Sequence, residues 1–241
     1  TTKIWAHRGA SAYAPENTLA AFALAAEMEA DGIELDVHLT ADDQLVVAHD
    51  EQVDRVSNGQ GYIRRMTLEE LRTLDFGAHH PRYRGEKIPT LAEVYDLIRP
   101  TKMTINVEIK SGIVLYPGIE EKLVTLTREA GMTGRVIYSS FNHYSLMALR
   151  QLEPEAPIGL LYSCALVDPW LYAQHLKANA LHPLYLTLQA PGLVEGCRAT
   201  GIKLHPWTVD DPTAMGRLMA MNIDAVITNK PDVARAVREQ S

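Results

Sequence analysis

The sequence predicts an α/β fold, a (β/α)8 TIM barrel with a small insertion after its second strand region. Short apolar runs alternate regularly with amphipathic helical patterns, which argues for parallel βα units. The length of 241 residues is that of a single barrel of this kind. One polar connection, residues 40–44, is too short for a parallel crossover and suits a hairpin.

Strand-like runs fall near residues 3–6, 32–39, 45–49, 103–109, 136–139, 158–162, 178–182, 202–207 and 224–228. Nine runs are one too many for eight staves. The hairpin resolves the excess, because 45–49 then runs back antiparallel to 32–39. With the turn centred on Asp42 and Asp43, His49 lands near the level of Asp36. Helical patterns occupy 18–30, 91–98, 119–130, 144–152, 169–176, 191–200, 212–221 and 231–238. Thr67-Leu68-Glu69-Glu70 and Thr90-Leu91-Ala92-Glu93 read as capping boxes and mark helix starts. Residues from about 50 to 87 break the alternation. They are polar and turn-rich, with one short helix near 68–74, and read as a small subdomain inserted beside the site. The expected organisation is one barrel over residues 1–241 with that insertion.

Composition is ordinary for a globular chain, 46% hydrophobic and 22% charged. A net charge of −7 gives no basic surface for nucleic acid or an anionic membrane. The two cysteines, Cys164 and Cys197, lie far apart and make neither a disulfide framework nor a zinc-thiolate motif. No apolar run reaches the roughly 20 residues needed to cross a bilayer, and no secretory h-region opens the chain. The expectation is a cytoplasmic protein without stable membrane association, acting as a monomer or homodimer on a small molecule.

The chemistry concentrates in three strands. Side chains alternate along a strand, so Glu34 and Asp36 share one face of Ile33-Glu34-Leu35-Asp36-Val37. Glu108 and Lys110 share a face of Val107-Glu108-Ile109-Lys110, and a third run ends in His7 and Arg8. Carboxylates are almost never buried in strands unless paired or bound to a cation. Barrel active sites lie at the C-terminal ends of the strands, so these adjacent staves converge on one mouth with His49. Three carboxylates without thiolates describe a hard oxygen site for one divalent cation, Mg²⁺ or Ca²⁺. Two imidazoles beside it suit a general acid and a general base. Arg8 and Lys110 add fixed positive charge for a phosphate oxygen. Together they point to metal-assisted cleavage of a phosphate ester. Structural readings stand beside this one. Glu34 and Asp36 can serve hydrogen bonding, and Glu108 and Lys110 can neutralise one another. Phe141 can anchor a helix start, and Trp207 can belong to the core. His38, His79, His80, His143, His175, His182 and His205 read mostly as surface or supporting residues.

These residues make the chain resemble the glycerophosphodiester phosphodiesterase family, whose barrel is related to that of phosphatidylinositol-specific phospholipase C. The matching stretches are His7-Arg8-Gly9 with Pro15-Glu16-Asn17-Thr18, Gly32-Ile33-Glu34-Leu35-Asp36-Val37, His49-Asp50, Asn106-Val107-Glu108-Ile109-Lys110, Ser140-Phe141, Trp207-Thr208-Val209 and Thr228-Asn229-Lys230-Pro231-Asp232. They follow family order over nearly the whole chain. The resemblance implies Glu34, Asp36 and Glu108 as ligands of one divalent cation, and His7 and His49 as the acid–base pair. It implies Arg8 and Lys110 on the phosphate, with Phe141 and Trp207 lining the substrate path. The implied reaction releases sn-glycerol 3-phosphate and an alcohol from deacylated phospholipids such as glycerophosphocholine or glycerophosphoethanolamine. In the mechanism so implied, the neighbouring glycerol hydroxyl attacks phosphorus and water opens the cyclic product. Asp210 stands where many relatives carry asparagine, and Asn229 where aspartate is frequent. Two further readings stay open. One is a lysophospholipase D-like enzyme with an acyl entry near Leu160, Leu161, Leu184, Tyr185 and Leu186. The other is an inactive phosphoester-binding barrel.

Overall fold

A computed structural model describes residues 1–240. Among these residues nine strands form one sheet: β1 (Lys3–His7), β2 (Gly32–Leu39), β3 (Leu45–Val47), β4 (Thr104–Ile109), β5 (Val136–Ser140), β6 (Ile158–Tyr162), β7 (Ala180–Pro183), β8 (Lys203–Leu204) and β9 (Ala225–Thr228). Eight are parallel and follow the order β8-β7-β6-β5-β4-β2-β1-β9, while β3 pairs antiparallel with β2. The hairpin register sets Val37 opposite Val47, and the Ala48 amide donates to the Asp36 carbonyl at 3.1 Å. His49 therefore does arrive beside Asp36. The circle closes between β8 and β9 largely beyond the short β8 ladder. Ile227 N donates to the Pro206 carbonyl and Val209 N to the Ile227 carbonyl, both at 2.9 Å. The Asp224 carboxylate accepts from Leu204 N at 3.0 Å.

The helices are α1 (Leu19–Glu27), α2 (Leu68–Arg72), α3 (Leu91–Ile98), α4 (Ile119–Glu129), α5 (His143–Leu152), α6 (Pro169–His175), α7 (Leu193–Thr200), α8 (Pro212–Ala220) and α9 (Pro231–Glu239). Both expected capping boxes form, at Thr67/Glu70 and Thr90/Glu93. Strand alternation divides the core in two. Ile33, Leu35, Val37, Ile105 and Val107 point outward and pack with Phe22 and Tyr95 between sheet and helices. A smaller inner cluster joins Trp5, Ile137, Ala180, Ala225 and Ile227. Around the Trp5 indole the lining must shrink, and a Cβ on Gly32 would fall 2.7 Å from it.

Residues 50–87 contain α2 and two short 3₁₀ turns and bury their own apolar cluster, including Val53, Ile63, Leu71 and Phe76. Among the described residues no helix is long and apolar enough to cross a membrane.

Candidate active site

Parallel register brings the predicted carboxylates together. Asp36 pairs with Glu108 across β2 and β4, and His7 pairs with Glu34 across β1 and β2. Residues in register point to the same face, so all four side chains enter the barrel at its C-terminal end. One carboxylate oxygen from each of Glu34, Asp36 and Glu108 lies within 4.8 Å of the others, and all three residues are buried. Asp36 Oδ1 receives no hydrogen bond from the described residues. A buried carboxylate oxygen left without a donor is costly, and an all-oxygen trio with one open lone pair fits a hard divalent cation.

Electrostatics agree with that fit. Burial, and then repulsion from Asp36 and Glu108, raise the Glu34 carboxyl well above its ordinary value. Burial and Asp36 raise Glu108 to about 8, partly offset by Lys110. Burial pushes Asp36 upward as well, but Arg8, His49 and Lys110 outweigh it and hold that carboxyl low. The protein thus keeps one carboxylate ionised and leaves the other two short of positive charge.

His7 ends β1 with Nδ1 2.7 Å from Asn229 Oδ1 and Nε2 3.9 Å from Glu34 Oε2. Burial, reinforced by Arg8, lowers its imidazolium to about 4, so it is neutral near pH 7. His49 stands on the far side of the cluster. Its Nδ1 is 2.7 Å from Asp50 Oδ1 and its Nε2 3.4 Å from Lys110 Nζ. Lys110 also donates to Glu108 Oε1 at 3.2 Å. Arg8 Nη1 lies 3.1 Å from Glu16 and its buried Nε 3.7 Å from Asp36 Oδ2, too long for a hydrogen bond, and that Nε makes none to the described residues. The backbone turn at Arg8 is tight because Gly9 follows with φ +82°. A Cβ there would strike the backbone of Ala21 at 2.7 Å, so only glycine lets this loop lie against α1.

All nine predicted site residues gather at one mouth. A cavity of about 100 Å³ is lined by His7, Arg8, Glu34, His49, Glu108, Phe141 and Trp207, with Asp36 and Lys110 touching that lining. Trp207 and Phe141 meet edge to face at 5.8 Å. The mouth is divided in character. Loops after β4, β5, β6 and β7 carry two charged residues, Lys110 at the foot of the first and Asp168, and expose Ile113, Leu115, Val167 and Leu186. The opposite side carries Glu16, Asp50, Arg55 and Asp210. Of the suggested acyl-entry residues, Leu161 lines the cavity and Leu186 is exposed, whereas Leu160 is fully buried in the outer core.

Residues 7–233 match the sequence model of the Glycerophosphoryl diester phosphodiesterase family. The chain belongs to that family. A glycerophosphodiester phosphodiesterase of Caldanaerobacter subterraneus subsp. tengcongensis is 52% identical over 232 residues, covering 96% of this chain and 95% of that protein. A glycerophosphodiester phosphodiesterase crystal structure from Agrobacterium tumefaciens superposes with a TM-score of 0.86 at 31% identity, covering 98% of this chain and all of that one. An Oleispira antarctica phosphodiesterase in complex with the product sn-glycerol-3-phosphate superposes at 0.88 with 29% identity, covering 98% and 96%. This family member is a phosphodiesterase acting on glycerophosphodiesters, on a TIM barrel.

Several residues that complete the enzyme's site escaped the sequence reading. Asn17 donates to Asp36 Oδ2 at 3.0 Å. Arg55 joins Asp50 to Glu16 through four hydrogen bonds of 2.7–3.1 Å. Glu16 then touches Arg8, so an ionic chain runs from His49 around to Arg8. Asn17, Glu16 and Asp50 lie inside the motif blocks, which was a usable signal. Arg55 lies among residues 50–87, outside those blocks, and had none. Of the histidines read mostly as surface or supporting residues, His182 and His205 lie inside the barrel. They pair at 2.9 Å, fully buried, against the Trp5 ring.

Proposed function

We propose that this enzyme hydrolyses glycerophosphodiesters such as glycerophosphocholine and glycerophosphoethanolamine to sn-glycerol 3-phosphate and the free alcohol. The observation that carries the reading is the convergence of three buried carboxylates, two histidines and two cations on one mouth. Glu34, Asp36 and Glu108 would hold one divalent cation, Mg²⁺ or Ca²⁺. When bound, that cation supplies Lewis acidity toward the phosphoryl oxygens. Arg8 and Lys110 bind the phosphate and neutralise charge as it grows. His7 and His49 serve as the acid–base pair. One takes the proton of the neighbouring glycerol hydroxyl as its oxygen bonds to phosphorus. The other gives a proton to the alcohol oxygen as its bond to phosphorus breaks. Water then opens the cyclic phosphate with the roles reversed. Holding the attacking hydroxyl within the substrate gains greatly from proximity. Phe141 and Trp207 line the path of the alcohol. The whole chain acts as one barrel, with the insertion supplying Asp50 and Arg55 to its wall, and we place the reaction in the cytoplasm.

A second reading draws on the apolar residues exposed on one half of the mouth, which suit the acyl chain of a lysophospholipid. One assay separates the two. Release of sn-glycerol 3-phosphate from glycerophosphocholine is followed with EDTA and after Mg²⁺ or Ca²⁺ is restored. Metal-restored release is expected. Choline release from lysophosphatidylcholine alone would favour the second reading, and no release from either substrate by a folded protein would sink both.

A further inference from the structure

We propose that Asp210, acting through Asn229, locks His7 in the tautomer with its proton on Nδ1, so that bare Nε2 faces the cavity. This rests on the reading of His7 as one of the acid–base pair and assigns it the base role in the first step. The three groups form one chain of short contacts. Asp210 Oδ2 accepts from Asn229 Nδ2 at 2.6 Å, and Asn229 Oδ1 lies 2.7 Å from His7 Nδ1. Asp210 is itself fixed, since Oδ1 accepts from Thr228 Oγ1 at 3.0 Å and from the Asn229 amide N at 2.8 Å.

The assignment follows from what each group is able to do. An asparagine amide carries an acceptor at one end and two donors at the other, and turning it over exchanges them. Ser11 Oγ, 2.7 Å from Asn229 Oδ1, does not fix the choice, because a hydroxyl both donates and accepts. A carboxylate only accepts. The amide atom facing Asp210 must therefore be the NH₂, and the atom facing His7 must be the carbonyl oxygen. That oxygen needs a donor, so His7 carries its proton on Nδ1, and Nε2 keeps a free lone pair. Turned over, the amide would offer N–H to Nδ1, move the ring proton to Nε2 and remove the base. Asp210 is thus a positioning residue, 3.0 Å or less from every partner but touching neither histidine. His49 is oriented differently, by direct contact of Nδ1 with the Asp50 carboxylate.

The arrangement has a specific test, because the two side chains are isosteric and can be exchanged. Asp210→Asn should lower kcat for glycerophosphocholine about 10- to 100-fold, as losing an orienting partner does, with KM changed by less than about threefold. Asn229→Asp alone sets two carboxylates against each other and should be at least as poor. The double exchange, Asp210→Asn with Asn229→Asp, restores a donor facing an acceptor at both contacts. It should return kcat to within about fivefold of the parent, a non-additivity that marks direct coupling. Ring ¹⁵N spectra of the Mg²⁺-containing enzyme give a readout independent of turnover. The His7 signals, assigned by their loss in His7→Gln, should show a protonated Nδ1 and an unprotonated Nε2. The proton on Nε2 in the parent enzyme overturns the proposal. So does a double exchange no better than the worse single variant, or an Asp210→Asn enzyme that loses only Tm. A parent enzyme with the expected tautomer but no phosphodiesterase activity would instead defeat the underlying functional reading.

Discussion

Asn17 donates its side-chain amide to Asp36 Oδ2 at 3.0 Å, and both residues are buried. The contact occupies one carboxylate oxygen and leaves Oδ1 without a donor, which sets the direction in which Asp36 offers its charge. Asn17 holds φ +55°, a conformation that glycine shares without strain. Asn17→Gly should keep the turn, lose the amide and weaken Mg²⁺ or Ca²⁺ binding about 10- to 100-fold. Isothermal calorimetry checks this, and unchanged affinity would remove Asn17 from the support of the site.

Raised carboxyls make the cluster a pH-dependent load on the metal-free fold. Glu108 binds its proton up to about pH 8, against an ordinary 4.5, so the folded state holds that proton more tightly than the unfolded chain. Its favourable contribution is full below the unfolded value and is lost as pH rises through the folded one. In EDTA, urea stability should therefore fall between these two values, and a divalent cation should reverse the fall. Glu34→Gln should raise the Tm of the metal-free protein while weakening cation binding. If both quantities move together, the three carboxylates are not one coupled site.

The buried His182–His205 pair should limit stability in acid. Burial lowers His182 to about 3, and burial with His182 lowers His205 well below its ordinary 6.5. Here the unfolded chain binds protons first, so stability is full above 6.5 and is lost as pH falls toward the folded values. Each histidine contributes up to about 1.4 kcal/mol per pH unit in that window. Urea midpoints from pH 7 down to 4 should show the slope. A flat profile would mean that the pair is protonated, or exposed, in the folded protein.

Lys110 stands between His49 and Glu108, 3.4 and 3.2 Å away. Glu108 and Asp36 keep it firmly charged against the pull of burial. Lys110→Ala should lower kcat/KM about 10²-fold, the usual cost of removing a group that stabilises transition-state charge. Thermal denaturation run beside the kinetics decides its role. A large loss of Tm with unchanged kcat/KM would make it a structural partner of Glu108 instead.

Strand order, the hairpin and the converging carboxylates were legible because they depend on local period and on register. Once 32–39 and 103–109 are neighbours, Asp36 and Glu108 have little choice but to meet. The ionic chain through Arg55 was not legible, since its partners Glu16 and Asp50 come from separate loops. The burial of His182 and His205 was not legible, because Leu181-His182-Pro183 and Leu204-His205-Pro206 do not reveal which barrel face a histidine takes. What decides it is Gly159 on the neighbouring strand, where a Cβ would fall 2.2 Å from the His182 ring. The apolar cluster of residues 50–87 was not legible, because Val53, Ile63, Leu71 and Phe76 follow neither helical nor strand spacing.

The division of the mouth assigns two tasks to two sets of staves. In the reaction proposed above, proton transfer and phosphate binding draw chiefly on the ends of β1, β3 and β9 with Lys110, whereas the leaving alcohol would meet the apolar remainder of the loops after β4 to β7. On that division, substitutions at Ile113, Leu115, Val167 or Leu186 would change the fit to the alcohol while leaving His7, Asn229 and the ionic chain untouched.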